Sequence, residues 1–313
     1  MPSNHFPARA AVPAALGRAL RALLVGAGLA GGLPHAASAR DAAPIEAANA
    51  VMPAQPPVFL EDLTWIELRD RVQAGQNVAL LPIGGIEQSG PALTLGKHNA
   101  RVRALAERIA RALGNALIAP VLAYVPEGSI EPPSSHMRYA GTISVPPAVF
   151  DGTLEAAARS LRAAGFRDIV LLGDHGGYQA QLAALAERLD RQWSREKPPV
   201  AARVWSPAAY YAASSDGLAR RLRAAGFRDD EIGTHAGLAD SALQLAVAPQ
   251  TVRQDVLHRG ADLDAAHGVY GGNPRGATAE LARAGADDIV QATVAAIRDA
   301  QAHGREPRRT HTP

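Results

Sequence analysis

Residues 78–91 read Val-Ala-Leu-Leu-Pro-Ile-Gly-Gly-Ile-Glu-Gln-Ser-Gly-Pro. Six apolar residues, Val78 to Ile83, run without alternation and stop at a glycine pair. An apolar run of that length, bounded by glycine, predicts a strand buried on both faces. Glu87 follows in the loop beyond it. Taken alone, Glu87 reads as an ordinary exposed loop carboxylate, because charged loop residues are common.

Outward from this stretch, strand and helix patterns alternate. Leu60 to Ala74 reads as helical, and Val102, Leu105, Ile109 and Leu113 mark one helix face at three- and four-residue spacing. Ala116 to Tyr124 predicts a second strand and Leu154 to Ala164 a helix. Ile169 to Leu172 predicts a third strand, Gln179 to Trp193 a helix, and Val200 to Trp205 a fourth strand. Helical patterns dominate from Leu218 and end with a long one from Thr278 to Ala302. This alternation predicts an α/β fold, a three-layer α/β/α sandwich around a mainly parallel sheet. Ligands of such sheets bind beyond the carboxyl ends of the strands. That rule singles out the loops after Ile83 and after Leu172.

The two ends of the chain read differently. Arg9, Arg18 and Arg21 precede an apolar run from Ala22 to Leu33, and Ala37-Ser38-Ala39 has the small-x-small form of a cleavage site. The run is too short for a membrane span, which needs about 20 residues. Residues 1–39 are therefore expected to be a removable export signal, giving a periplasmic or secreted product with no membrane association. Residues 40–57, rich in Ala and Pro, read as a flexible leader, 58–303 as the α/β domain, and 304–313 as a disordered tail.

Composition narrows the function. The chain has 313 residues, 47% of them hydrophobic and 20% charged, enough for a substantial core. Its formal charge is +2, but residues 1–39 carry three arginines and no acid, so the remainder sits near −1. With no basic run longer than an arginine pair, nucleic-acid binding has no support. Cysteine is absent, which excludes thiol nucleophiles, disulfides and Cys-ligated zinc. A metal would have to be held by histidine and carboxylate.

Three loops carry such residues. The first runs Gly84-Gly85-Ile86-Glu87-Gln88-Ser89-Gly90-Pro91-Ala92-Leu93-Thr94-Leu95-Gly96-Lys97-His98-Asn99. The second is Gly173-Asp174-His175-Gly176-Gly177-Tyr178-Gln179, where flanking glycines would let His175 approach a ligand closely or would simply serve a turn. The third is Gly233-Thr234-His235-Ala236-Gly237-Leu238-Ala239-Asp240-Ser241-Ala242, which alone reads as a helix N-terminus capped by Thr234.

As an ordered set, the three segments resemble the creatininase family. Its pattern is Gly-x-x-Glu-Gln-His-Gly-Pro-His-Leu-Pro-Leu-x-x-Asp, then Asn-Gly-His-Gly-Gly-Asn, then His-Ala-Gly-x-x-Glu-Thr-Ser. His136-Met137-Arg138-Tyr139-Ala140-Gly141-Thr142 resembles the family's His-x-x-Phe-Pro-Gly-Thr, and Gly268 to Pro274 its late glycine-rich loop. The resemblance implies hydrolysis of a non-peptide C–N bond in a small amide, cyclic amides included, by metal-activated water. It implies Glu87, His175 and Asp240 as ligands and His235 as the acid/base residue. It places His136, Arg138 and Tyr139 in the substrate pocket, with Gly176, Gly177 and Tyr178 beside them. Homo-oligomers, often hexamers, are the family's habit and are expected here.

Departures from the pattern change the expected metal centre. Ser89 and Ala92 stand where the family has histidines, and His98 stands at a bridging aspartate. Gly177 replaces a glutamate found in some members, which argues against carrying creatinine itself over as substrate. Glu87, His98, His175 and Asp240 would form a two-histidine, two-carboxylate site for one zinc, manganese or iron ion per chain. The rival expectation is an exported small-molecule binding protein that keeps the fold and has lost hydrolysis. A serine hydrolase using Ser89 ranks below both, since no nucleophile-elbow pattern surrounds it.

Overall fold

A computed structural model describes residues 55–196 and 201–303. The apolar run that opened the sequence is strand β1, Val78–Ile83, buried at every position. It pairs in parallel with β2, Ala116–Ile118, on one side and β3, Asp168–Gly173, on the other. Strand β4, Arg203–Trp205, extends the sheet beyond β3, giving the order β2-β1-β3-β4. In register, Leu80 faces Ile118 and Val170, so the sheet centre is aliphatic.

Side chains alternate across a strand, and the two faces of β1 feed two separate cores. Val78 and Leu80, with Val170 and Leu172 of β3, pack against helix α2 (Lys97–Leu113). The same core takes in helices α8 (Leu238–Val247) and α10 (Ala279–His303). Ala79, Leu81 and Ile83 face the other way with Ile169 and Leu171, against α3 (Pro147–Ala163) and α4 (Gln179–Trp193). Helix α1 (Trp65–Gln73) borders this second core and starts at a Thr64–Glu67 capping box. The remaining helices, α5 (Ala208–Ala212), α6 (Leu218–Ala224), α7 (Asp229–Ile232) and α9 (Gln254–Arg259), connect the larger pieces. The three-layer sandwich expected from the alternation is thus the observed fold.

The strand expected over Ala116 to Tyr124 is shorter, ending at Ile118. Pro120 has no N–H to donate to a ladder, and only the single bridge of Leu122 to Ile83 follows. The helix expected from Leu154 begins earlier, with Pro147 at its first turn, a position that tolerates proline. The export signal, most of the leader and the tail lie outside the described residues. Where the leader is described, the carbonyls of Pro56 and Pro57 accept from Arg111 and Arg71. No helix among the described residues is long and apolar enough to cross a membrane.

Candidate metal centre

The parallel sheet delivers two loops to one place, and Tyr178 fastens them together. Its buried hydroxyl accepts from the backbone N–H groups of Asp174 (3.1 Å) and His175 (3.2 Å). It donates back to the Ile83 carbonyl at the end of β1 (2.7 Å), with the Gly84 carbonyl 2.9 Å away. Burial pushes the phenol well above its ordinary value, so it stays a donor. The expected role of Tyr178 in substrate binding therefore gives way: at 1% exposure it is a strut between strand ends.

Glu87 is fully buried, and its two oxygens face different neighbours. Oε1 accepts from His98 Nε2 (2.7 Å) and lies 3.4 Å from Lys97 Nζ. Oε2 lies 3.3 Å from His136 Nε2 and 3.3 Å from His175 Nε2, with no hydrogen-bond partner of its own. Burial alone would raise this carboxyl, but Lys97 and the neighbouring His175 and His98 outweigh it and hold the group ionised. Glu87, His136 and His175 offer ligand atoms that all lie within 4.8 Å of one another.

This set fits a divalent ion. Ligand atoms about 2.0–2.2 Å from a tetrahedral ion sit roughly 3.4 Å apart, close to both 3.3 Å separations here. Burial lowers the pKa of His136 and His175, which keeps both rings neutral, the form a metal needs. Coordination through Nε2 puts each ring's remaining proton on Nδ1. For His136 that atom lies 3.0 Å from Gln88 Nε2, so the amide would have to turn its oxygen there from Gly90 N–H (3.0 Å). His175 gives up a long bond from Gly177 N–H (3.3 Å). At Gly177 a Cβ would stand 2.8 Å from the His175 ring, so a side chain there would require the ring to shift.

Two expected ligands stand outside this triangle. Both nitrogens of His98 are engaged, Nε2 by Glu87 and Nδ1 by Asp174 Oδ2 (2.8 Å) and Arg101 Nη2 (3.0 Å), so neither is open to an ion. His98 instead orients Glu87. Both oxygens of Asp240 are taken as well: Lys97 Nζ pairs with Oδ2, Arg101 Nη1 donates to Oδ1 (2.6 Å), and Ala236 N–H adds a third bond (3.0 Å). Burial opposes ionisation of Asp240, and Lys97 and Arg101 overcome it. Asp240 anchors a clamp of buried charge in which Arg101 also grips Asp174.

His235 arrives on the turn before α8, braced by Tyr270, whose N–H donates to the His235 carbonyl (2.9 Å) while the Tyr270 carbonyl accepts from Thr234 N–H. Its ring centroid lies 4.5 Å from that of His136. Nε2–H donates to the Gln88 carbonyl (2.9 Å), so the lone pair is on Nδ1, 3.7 Å from Glu87 Oε1. Burial, helped by Lys97, brings its pKa down to about 4.

His136, expected in the pocket wall, is thus among the donors. Tyr139 forms a rim with Tyr270 through their hydroxyls (3.1 Å), and Arg138 is exposed beside it. A cavity of about 470 Å³ borders His175, His235, Gly176, Tyr211 and Thr234. Gly176 leaves room there, since a Cβ would meet the Tyr211 hydroxyl at 2.5 Å. Ser89 is buried and its hydroxyl faces the Glu87 carbonyl (3.5 Å), so the serine-hydrolase reading has no base to support it.

Sequence reasoning missed Glu127, Lys97 and Gln88. Glu127, 3% exposed on the loop after β2, has neither oxygen hydrogen-bonded and lies 3.7 Å from His175 Nε2. Burial and the neighbouring Glu87 push it up to about 9. Its segment carries no motif. Lys97, at the start of an amphipathic helix, reads locally as a surface residue.

Fold and site together define a parallel α/β protein with a buried histidine–carboxylate cluster that could hold a metal ion. The family model described as creatinine amidohydrolase matches residues 61–297, and the chain belongs to this creatininase family of metal-dependent amidohydrolases. A curated creatinine amidohydrolase from Pseudomonas putida is 34% identical over 118 residues, 38% of this chain and 45% of that protein. The match thus spans about half of that relative. Among solved structures, a glutamate-to-glutamine mutant creatininase of Zn-Zn type has a TM-score of 0.62 at 25% identity, covering 78% of this chain and 98% of that one. A creatininase described with Mn has a TM-score of 0.60 at 26% identity and the same coverage.

Proposed function

We propose that this chain hydrolyses a non-peptide C–N bond in a small amide, cyclic amides included, with one divalent ion per chain. The observation that carries the reading is the convergence of Glu87, His136 and His175, with Glu87 Oε2 buried and unpartnered between the two rings. Zinc, manganese and iron all suit such donors. When bound, the ion supplies carbonyl polarisation and makes water acidic enough to attack near neutral pH.

The chain's own residues do the rest. His98 and Lys97 hold Oε1 of Glu87, so Oε2 is turned toward the rings. Gln88 and Tyr270 fix His235 in the tautomer whose Nδ1 is free to accept a proton. His235 is neutral at physiological pH, takes the proton released by water, and returns it to the leaving nitrogen. The wall beside Gly176 and Tyr211 bounds the substrate, and its polar lining suits a compact amide.

His235→Ala is expected to cut turnover of a responsive lactam or amide by about 10²–10⁴-fold, the usual worth of a general acid/base. Metal content, read by elemental analysis, should stay at the wild-type level. Unchanged turnover removes His235 from the mechanism, and turnover that survives a chelator removes the metal. Tight ligand binding without turnover would favour the exported binding protein, the reading motivated by Ser89 and His98.

The reading places this activity in the periplasm or the medium, in a homo-oligomer. N-terminal sequencing of the exported protein should begin at Arg40; a chain retaining Met1 would overturn cleavage.

A further inference from the structure

We infer that Glu127 is the fourth protein ligand of the ion, delivered by the loop after β2. The inference deepens the metal-centre reading above and rests on it.

The loop is built to bring this one side chain inward. Glu127 N–H donates to Ser144 Oγ (3.0 Å), and that hydroxyl donates to the Gly128 carbonyl (2.7 Å), so the backbone is clamped on both sides of the residue. Val125 is buried next to it and its carbonyl accepts from Val145 N–H (3.2 Å). The carboxyl itself reaches over Gly85. A Cβ at Gly85 would stand 2.5 Å from Glu127 Oε1, and the φ of +156° there is one that side chains rarely adopt. Glycine at 85 therefore makes space for Glu127.

What the carboxyl meets there is incomplete. Both oxygens are buried without a hydrogen-bond partner, as is Oε2 of Glu87. Buried polar groups are ordinarily paired, and two neighbouring buried carboxyls require a shared proton or a cation. The distance to His175 suits a cation. Glu127 Oε2 to His175 Nε2 is 3.7 Å, against 3.3 Å from Glu87 Oε2 to each of His175 and His136. All three are close to the spacing of neighbouring ligand atoms around one ion, and a fifth position would be left to water. Glu127 would then supply the second carboxylate of a two-histidine, two-carboxylate site, the part expected of Asp240.

The test is metal binding by the full chain after chelator dialysis, titrated calorimetrically with zinc or manganese ions. Wild type should take one equivalent. Glu127→Gln, the same shape without charge, should weaken binding by more than the roughly 10–100-fold that loss of an outer-sphere partner costs. The metal-free variant should melt at or above the wild-type temperature, and the rise on adding metal should shrink. A loss of at most 100-fold, or none, overturns the ligand assignment; unchanged affinity with lost turnover would make Glu127 a proton-transfer group instead. Wild-type protein that binds no divalent ion overturns the metal-centre reading itself, so the two failures are distinguishable.

Discussion

Arg101→Met is expected to lower the melting temperature by roughly 6–20 °C. Arg101 is 6% exposed and holds two buried carboxylates, Asp174 through Nε (2.8 Å) and Asp240 through Nη1 (2.6 Å). Removing one partner of a buried ion pair costs about 3–5 kcal/mol, because the other charge stays in the interior unpaired. A domain of this size loses about 2–4 °C per kcal/mol. The deficit carries a pH signature. Against the pull of burial, Arg101 and His98 lower Asp174, and Lys97 and Arg101 lower Asp240, both below their ordinary 3.8. A carboxyl with a lowered folded value binds fewer protons when folded, so its contribution is complete above 3.8 and fades as pH falls through the folded value. The gap between wild type and variant should be widest near neutrality and close below about pH 3.8. Melting curves at several pH values check this, and a gap that does not change with pH would refute the clamp.

Glu87→Gln is expected to abolish metal uptake and reduce turnover to background. The substitution keeps the shape but removes the charge that Oε2 offers between His136 and His175. It also puts an NH₂ either against the ion or against the donors His98 and Lys97. Either way a donor faces a positive centre. Asp240→Asn is the informative comparison. Its oxygens serve Lys97, Arg101 and Ala236, so it should melt lower while metal affinity stays within about tenfold of wild type, smaller than most outer-sphere losses. Elemental analysis and calorimetry on the two variants separate ligand from clamp; equal loss of metal in both would restore Asp240 as a ligand.

The parts of this architecture readable in advance are those with a local cause. Val78–Ile83 and Gln179–Trp193 match their expected bounds because an apolar run ending in glycine and a three- and four-residue periodicity need no tertiary knowledge. β2 was overextended because apolar residues continue past Pro120, whose missing N–H outweighs their hydrophobicity. Glu87 and His175 were findable from the rule that parallel sheets bind ligands at strand ends. His98 and Asp240 have the right chemistry, and sequence could not show that Lys97 and Arg101 would claim the surrounding acids. Glu127 lies 40 residues beyond Glu87 and 48 before His175. Only folding brings it beside them, and no local pattern marks it.

The Tyr178 hydroxyl has a mechanical consequence. Because one phenol oxygen pins the end of β1 to the backbone that carries His175, the first and second loops cannot part independently. Glu87 Oε2 and His175 Nε2, 3.3 Å apart, are thereby held at a spacing set during folding, before any ion arrives. A donor pair positioned in advance by the scaffold has no ordering left to undergo when the ion binds.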